Sequence, residues 1–232
     1  MSVALITGAS RGLGAALAAE LAGQGWTLIV DARDGAALEA AAKGWDGEVI
    51  TVPGDVSEPG HREELARAVH RLSRLDLLVN NASLLGPSPQ PHLDSYPLDV
   101  LENVYRVNVF APLGLTQLLL PDLKAAGGVV VNVTSDASVE PYEGWGGYGS
   151  SKAALDQLTA ILAAEQPSVA VYAFDPGDMR TQMHQEAYPG EDISDRAEPE
   201  TVVPAFLRLL EDRPSSGRYR ASDFALTTGG GA

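Results

Sequence analysis

The sequence predicts an α/β fold in which a doubly wound parallel sheet of about seven strands carries helices on both faces. Short, almost wholly apolar runs alternate with alanine- and leucine-rich helical runs along the whole chain. Strands that are apolar throughout belong in a parallel sheet covered on both faces. The 232 residues show no internal repeat and no linker long enough to divide domains, so we expect a single domain over residues 1–232.

Each strand is predicted from a short run of β-branched and other apolar residues, and each helix from a longer run that mixes alanine, leucine and charged residues. The predicted strands, the last of which is the weakest, span residues 3–7, 27–32, 49–52, 75–80, 129–134, 169–174 and 217–221. The predicted helices span residues 13–22, 36–43, 59–72, 97–125, 150–165 and 199–210. Two irregular regions, 86–91 and 178–199, each follow a strand. Ligands bind outside the carboxyl ends of strands in such sheets, so we expect 178–199 to form a substrate lid.

The composition excludes several classes of function. With 31 acidic and 16 basic residues the formal net charge is -15, which would repel nucleic acid and anionic membranes. The chain has no cysteine and only four scattered histidines, so we expect no disulfide and no metal site. No apolar run reaches the length of a membrane span, and residues 1–7 resemble a strand more than a signal peptide. A cytoplasmic protein is therefore expected.

A tyrosine and a lysine four residues apart, Tyr148 and Lys152, are the strongest candidates for chemistry, with Ser135 upstream of them. On a helix, side chains at this spacing share a face. A nearby ammonium favours the phenolate and lowers the pKa of tyrosine from its usual ~10. A serine hydroxyl beside the phenol could hold a carbonyl oxygen while the tyrosine moves a proton. The same spacing also occurs by chance in helices where tyrosine packs and lysine is solvated.

A glycine-rich segment, Thr-Gly-Ala-Ser-Arg-Gly-Leu-Gly at residues 7–14, follows the first strand and opens a helix. Glycine lets the backbone approach a pyrophosphate, and the helix N-terminus presents free N–H groups to it. The spacing differs from the Gly-x-Gly-x-x-Gly of the general dinucleotide fingerprint, and tight turns need glycine in any case. The strand–turn–helix context nevertheless predicts nucleotide binding. The candidate binding residues in this turn are Gly8, Ser10, Arg11, Gly12, Leu13 and Gly14.

With these motifs the chain resembles the short-chain dehydrogenase/reductase family, in its small single-domain branch with a Rossmann-type fold. The resemblance spans nearly the whole chain. The matching positions are Gly8/Gly12/Gly14, Asp55-Val56, Asn80-Asn81-Ala82, Asn108, Ser135, Tyr148/Lys152 and Pro176-Gly177 followed by Thr181. The resemblance implies hydride transfer between a nicotinamide cofactor and a small-molecule carbonyl or alcohol substrate.

The resemblance also implies a role for each matching residue. Tyr148 would be the general acid in reduction and the base in oxidation, Lys152 would bind the nicotinamide ribose, and Ser135 would hold the carbonyl oxygen. Asn108 would kink a helix and anchor a water that leads to Lys152, unless it is only a structural mid-helix residue. The cofactor would also contact residues of three further motifs, namely Asp55, Val56, Asn81, Ala82, Pro176, Gly177 and Thr181. Thr134 and Ser138 compete with Ser135, which the thirteen-residue offset to Tyr148 favours.

The end of the second strand decides between NAD and NADP. A carboxylate there would bond the ribose and select NAD, but Asp31 falls one residue early, so that Ala32 occupies the selecting position. Strand alternation would point Asp31 to the other face. Arg33 and Arg11 would then flank a 2′-phosphate. We therefore expect NADP(H), with NAD as the alternative.

Several points remain open in the sequence. Ser83 stands where the family usually has glycine, so the following loop is expected to differ. The substrate pocket is expected to draw on Tyr142, Glu143, Trp145, Met179, Met183 and His184. A non-catalytic NADP-binding relative is the alternative function, and a nucleotide-sugar epimerase is disfavoured because only about 50 residues follow Thr181. Homo-oligomerisation through the helices at 97–125 and 150–165 is expected from the resemblance.

Overall fold

The computed structural model describes residues 1–224 and contains one seven-stranded sheet in the order β3-β2-β1-β4-β5-β6-β7. Every neighbouring pair of strands is parallel. The strands are β1 Val3–Ile6, β2 Thr27–Val30, β3 Val49–Thr51, β4 Leu77–Asn80, β5 Val129–Val133, β6 Ala170–Asp175 and β7 Gly217–Arg220. All seven predicted strands are therefore confirmed, with ends that differ by one or two residues. The predicted domain end at 232 lies outside the described residues.

The helices cover both faces of the sheet, as predicted. They are α1 Gly12–Gly23, α2 Gly35–Ala42, α3 Pro59–Leu72, α4 Leu98–Tyr105, α5 Ala111–Ala126, α6 Gly146–Glu165, α7 Gln182–Ala187 and α8 Val203–Asp212. One apolar core packs α1 and α8 against one face, and a second packs α3 and α5 against the other. Among residues 1–224, no helix has both the length and the apolar character needed to cross a membrane.

The helix predicted over 97–125 and the segment expected to form the lid both differ from the sequence-based expectation. The helix predicted over 97–125 is interrupted by a π-helical turn, Arg106–Phe110, that separates α4 from α5. Asn108 lies in this turn, and π turns concentrate at functional sites because they re-aim side chains. Helix α7 was not predicted at all, since its six residues lie in a polar stretch. It lies in the segment expected to form the lid.

Helix α6 begins four residues earlier than predicted, at Gly146 rather than at residue 150. Glycine disfavours helix, but here contacts with the rest of the fold require it. A Cβ at Gly149 would lie 2.6 Å from the carbonyl oxygen of Ala137. Because of this early start, Tyr148 lies on the same helix as Lys152.

We expect Gly149→Ala to lower the free energy of unfolding by about 1–3 kcal/mol, because the added methyl group overpacks against the Ala137 backbone. Thermal or urea denaturation followed by circular dichroism measures the change. Gly60→Ala on α3 is the matched control, since among the described residues nothing beyond its chain neighbours and its own helix backbone lies within 4 Å of its Cβ position. This control is expected to be neutral or to stabilise by up to about 1 kcal/mol. Equal effects in the two variants would contradict the assigned contact.

Candidate active site

A cavity of about 940 Å³ opens at the carboxyl ends of the strands, where the strand order reverses between β1 and β4. Ligands bind at such switch points in doubly wound sheets. All but two of the predicted site residues line this cavity. They are Gly8, Ser10, Arg11, Gly12, Leu13, Arg33, Asp55, Val56, Asn81, Ala82, Ser135, Tyr148, Lys152, Pro176, Gly177 and Thr181. The two exceptions, Gly14 and Asn108, lie behind its wall.

Hydrogen bonds hold the glycine-rich turn against the end of β4. The Asn81 side-chain amide donates to the carbonyl oxygens of Thr7 and Gly8, at 2.8 and 3.1 Å. A Cβ at Gly14 would collide with the Gly8 carbonyl oxygen and with the Asn81 amide, so this position requires glycine. Helix α1 starts at Gly12, and its free N–H groups therefore point into the cavity edge.

The end of β2 follows the predicted alternation. Asp31 is 1% exposed, and its carboxylate accepts a hydrogen bond from the Gly8 N–H at 2.8 Å. Ala32 packs in the core of the opposite face, while Arg33 is exposed at the cavity. Arg11 is exposed as well, and its guanidinium contacts the Gln182 amide oxygen of α7. The two arginines thus border the cavity at the end near Asp55, whose side chain accepts from the Ser57 N–H at 2.8 Å.

Tyr148 and Lys152 are both buried on α6, as the four-residue spacing predicts. The Lys152 ammonium donates to the carbonyl oxygen of Val133 at 2.8 Å, and it lies 5.5 Å from the centroid of the Tyr148 ring. Burial lowers the pKa of Lys152 to about 8. The pair is therefore held in place at the carboxyl end of β5.

The pKa of Tyr148 is raised above its ordinary value, which corrects the expectation that Lys152 lowers it. Burial is the largest cause, and the charges of Asp175 and Asp136 add to it. Hydrogen bonds with the hydroxyls of Ser83 and Ser135 oppose the rise. Desolvation outweighs these two hydroxyls because the phenolate would have little water around it.

Three hydroxyls competed for the place beside Tyr148, and the structure separates them. The Ser135 hydroxyl opposes the rise of the Tyr148 pKa, and it donates to the Asp136 carboxylate at 3.0 Å. The Ser138 hydroxyl donates instead to Asp156 at 2.6 Å. The Thr134 hydroxyl is buried without a hydrogen-bond partner among the described residues. Of the three hydroxyls, Ser135 is thus the one that influences the pKa of the Tyr148 phenol.

Asn108 lies in the π turn and forms four side-chain hydrogen bonds. Its amide oxygen accepts from the Leu84 N–H at 2.8 Å and from the Ser83 hydroxyl at 3.1 Å. Its amide nitrogen donates to the Leu84 carbonyl oxygen at 2.9 Å and to the Ser151 hydroxyl at 3.0 Å. None of these four hydrogen bonds involves Lys152, and a water that Asn108 anchors on the way to Lys152 stays a prediction.

Ser83 is a site residue that the sequence reasoning missed. It was noticed only because it replaces the family's usual glycine. Its hydroxyl donates to the Asn108 amide oxygen and lies close enough to the Tyr148 phenol to oppose the rise of that residue's pKa. A hydroxyl has one proton to donate, so Ser83 donates either to Asn108, as in the structure, or to a Tyr148 phenolate, whose formation it would thereby favour. Only the packing of the π turn against the loop after β4 brings these three groups together.

The segment 178–199 packs over the cavity through α7. Thr181 caps this helix by accepting from the His184 N–H at 3.2 Å, and its methyl group lies near Gly12. Asp178 does not pair with the neighbouring Arg180. Arg180 pairs with Glu198, whereas Asp178 lies 3.7 Å from Arg196.

Aromatic side chains form one wall of the cavity. The Trp145 ring meets Tyr142, Tyr148 and Tyr188 at centroid distances of 6.1, 5.8 and 5.9 Å. The Tyr142 hydroxyl donates to Asp136 at 2.8 Å, and this bond raises the pKa of Tyr142 to about 12. The described residues contain no group of three or more acidic or histidine side chains arranged to hold a metal ion.

Comparison with known proteins gives a consistent set of matches. The sequence pattern of the short chain dehydrogenase family matches residues 2–192. Sepiapterin reductase of Mus musculus is 36% identical over 200 residues, which cover 79% of this chain and 77% of that protein. Benzil reductase ((S)-benzoin forming) of Saccharomyces cerevisiae is 35% identical over 216 residues, which cover 88% and 80%. A short chain dehydrogenase from Shigella flexneri, solved in complex with NADP, is 29% identical, with a TM-score of 0.88 and coverage of 95% and 97%.

Proposed function

Because the chain belongs to the short chain dehydrogenase family, we propose that it is an NADP(H)-dependent oxidoreductase acting on carbonyl and alcohol substrates. The observation that carries this proposal is the meeting of Tyr148, Lys152 and Ser135 in the cavity that the glycine-rich turn borders. Nucleotide-binding and proton-transfer groups thus share one cavity of suitable size. We further propose that residues 1–232 act as a single domain.

Each of these three side chains has a separate role in reduction. A bound nicotinamide would supply the hydride that reduces the carbonyl carbon. Tyr148 gives its proton to the carbonyl oxygen, which completes the alcohol. The Ser135 hydroxyl donates to the same oxygen as negative charge develops there. Lys152 would hold the nicotinamide ribose, and its ammonium group lies near the phenol. In oxidation the same groups act in reverse, with Tyr148 as the base.

Aromatic, planar carbonyl compounds are the proposed substrates. The wall of Trp145, Tyr142 and Tyr188 offers ring faces and edges on which a planar substrate can stack. Sepiapterin reductase and benzil reductase are, by their names, reductases of ring-bearing compounds. Met183 and Ala187 of α7 pack beside Tyr148 and make this part of the cavity apolar.

NADP(H) is the proposed cofactor. Arg11 and Arg33 both line the cavity and are exposed, so both can bond a 2′-phosphate. The solved Shigella relative binds NADP. Ala32 leaves the NAD-selecting position without a carboxylate, which supports the same choice.

A homo-oligomer assembled through α5 and α6 is proposed as well. Large apolar side chains are exposed on these helices and in the preceding π turn, namely Leu118, Ile161 and Phe110. Exposed apolar side chains grouped on adjacent elements are typical of subunit interfaces. A cytoplasmic location stays a prediction from the sequence.

The proposed function is tested by NADPH oxidation over a panel of aromatic ketones, aldehydes, diketones and quinones. Tyr148→Phe is expected to lower kcat by about 10²–10⁴-fold, because it removes the proton donor, while the NADPH Kd stays within about threefold. Tyr219→Phe is the matched control, since its hydroxyl bonds the Ser215 backbone away from the cavity. If wild-type protein binds NADPH but turns over no panel member, the non-catalytic alternative replaces this proposal.

Arg33→Ala is expected to raise the KM for NADPH about tenfold or more, because a charge-assisted hydrogen bond contributes about 1.5–3 kcal/mol. The KM for NADH, which has no 2′-phosphate, is expected to change little. Arg208→Ala, at an exposed position of α8, is the control. Steady-state kinetics with both cofactors make the comparison. An unchanged NADPH KM in Arg33→Ala would refute the assigned role of this arginine.

The pH profile of alcohol oxidation tests the role of Ser83. Oxidation needs deprotonated Tyr148, so its rate is expected to rise with pH towards the raised pKa of that residue. Ser83→Gly removes a hydroxyl that lowers the Tyr148 pKa and is expected to move the rise upward by up to about one pH unit. Ser138→Ala, whose hydroxyl bonds Asp156, is the control and is expected to leave the profile in place. A Ser83→Gly profile that matches the control would argue against the contact.

A further inference from the structure

A carboxylate without a cationic partner lies beside the proposed carbonyl site. Asp136 directly follows Ser135, lines the cavity and is half-buried. One of its carboxylate oxygens accepts the Ser135 hydroxyl at 3.0 Å, and the other accepts the Tyr142 hydroxyl at 2.8 Å. Each oxygen thus accepts one donor, as suits an ionised carboxylate. Within residues 1–224 no lysine, arginine or histidine pairs with this side chain, so no ion pair offsets its charge.

The charge of Asp136 reaches the space beside the aromatic wall. Its hydrogen bond is the largest cause of the raised pKa of Tyr142. Burial is the largest cause of the raised pKa values of Tyr148 and Tyr188, and the charge of Asp136 adds to it in both. All three tyrosines line the cavity. Asp136 therefore lies among the groups that a bound substrate would contact.

The cations of the cavity lie elsewhere or are already engaged. Arg11 and Arg33 border the opposite end. The Arg180 guanidinium pairs with Glu198. The Lys152 ammonium donates to the backbone of β5, and its proposed partner is the nicotinamide ribose. Within the described lining, no arginine is therefore available beside the carbonyl site to bind a carboxylate group of a substrate.

The distance between Asp136 and a bound substrate follows from the proposed reaction. The Ser135 hydroxyl is to donate to the carbonyl oxygen, and it lies one hydrogen bond from the Asp136 carboxylate. A substituent on the Asp136 side of the carbonyl carbon therefore lies on the order of 5 Å from that carboxylate. At this separation, two like charges in a partly dehydrated cavity repel each other enough to weaken binding about tenfold or more.

We propose that Asp136 is a specificity-determining residue, which admits neutral carbonyl compounds and excludes those that carry a carboxylate beside the reacting carbonyl. The inference rests on the proposed oxidoreductase function and narrows its substrates. Aromatic ketones and neutral 1,2-dicarbonyl compounds fit the cavity, whereas aromatic 2-oxo acids of nearly the same shape do not. The discrimination depends on charge, because the aromatic wall would accept the ring of either kind of compound.

The test compares phenylglyoxylate, an anion at pH 7, with its neutral methyl ester. The kcat/KM of each is measured at pH 7 with saturating NADPH. Asp136→Asn removes the charge and keeps a side chain of the same shape. It is expected to raise kcat/KM for phenylglyoxylate about tenfold or more and to change that for the ester by less than about threefold. The ratio of the two values cancels any effect of the substitution on Tyr148 or Ser135, since both substrates use these groups.

Glu140→Gln is the matched control, because Glu140 lies in the same segment but is exposed and outside the described cavity lining. It removes one negative charge as well and is expected to leave the ratio within about twofold. Equal changes for the two substrates in Asp136→Asn would overturn the proposal, and so would a wild-type protein that reduces the acid as efficiently as the ester. If wild type reduces no carbonyl compound, the proposed function fails. If it reduces the ester and Asp136→Asn gains nothing with the acid, the proposed function stands and the role of Asp136 fails.

A measurement on the wild-type protein decides the matter if Asp136→Asn does not fold. Benzamide and benzoate have nearly the same shape and differ in charge, and each is tested as an inhibitor of ester reduction at pH 7. Benzamide is expected to inhibit with a Ki at least about tenfold below that of benzoate. A benzoate Ki equal to or below that of benzamide would overturn the proposed exclusion of carboxylates.

Discussion

The hydrogen bonds that join the carboxyl ends of β1 and β4 set the geometry of the whole cavity. The Thr7 N–H donates to the Val79 carbonyl oxygen at 3.0 Å, and the Thr7 hydroxyl accepts from the N–H groups of Asn81 and Ala82, both at 3.0 Å. These two strands are neighbours in space but far apart in the chain, and the connections that follow them leave in opposite directions. A cleft must therefore open between them. The Thr7 contacts close its floor, so that the glycine-rich turn and the loop containing Ser83 take fixed positions on either side.

The distribution of charge follows from the same arrangement. A protein with a net charge of -15 has to concentrate its cations where an anionic cofactor binds. Arg11 and Arg33 supply such cations at the end of the cavity near Asp55. Arg218 of β7 reaches inward instead, where its guanidinium bonds the Asp175 carboxylate at 2.8 Å and the Ser135 carbonyl oxygen at 3.1 Å. This contact fixes the backbone of Ser135 and partly compensates a carboxylate that raises the pKa of Tyr148.

The sequence was informative where local pattern determines structure. Apolar runs located all seven strands, and the i, i+4 spacing placed Tyr148 and Lys152 on one helix, because these features depend on neighbours in the chain. Reasoning from the sequence failed where contacts between residues far apart in the chain determine the local structure. The start of α6 depends on Ala137 packing against Gly149, and the π turn around Asn108 depends on the Leu84 backbone. His61 looked like an unremarkable helix residue, since its partner lies thirty residues earlier in the chain. The direction of the Tyr148 pKa shift was wrong for a related reason: spacing revealed the lysine but not the depth of burial.

That depth of burial suits Tyr148 to the proton donation proposed for it. A phenol whose pKa is raised keeps its proton at neutral pH, which a general acid for carbonyl reduction needs. The same burial lowers the pKa of Lys152 to about 8, so the ammonium still carries its charge at pH 7 but holds it less firmly than a solvated lysine. The developing alkoxide on the substrate would take the proton readily, because it is a much stronger base than a phenolate. The reverse reaction must generate a phenolate in a site where water cannot solvate it, with only Ser83, Ser135 and the Lys152 charge to stabilise it. In the proposed mechanism, Tyr148 therefore holds the proton that reduction needs at neutral pH, whereas the phenolate that oxidation needs forms more readily as the pH rises.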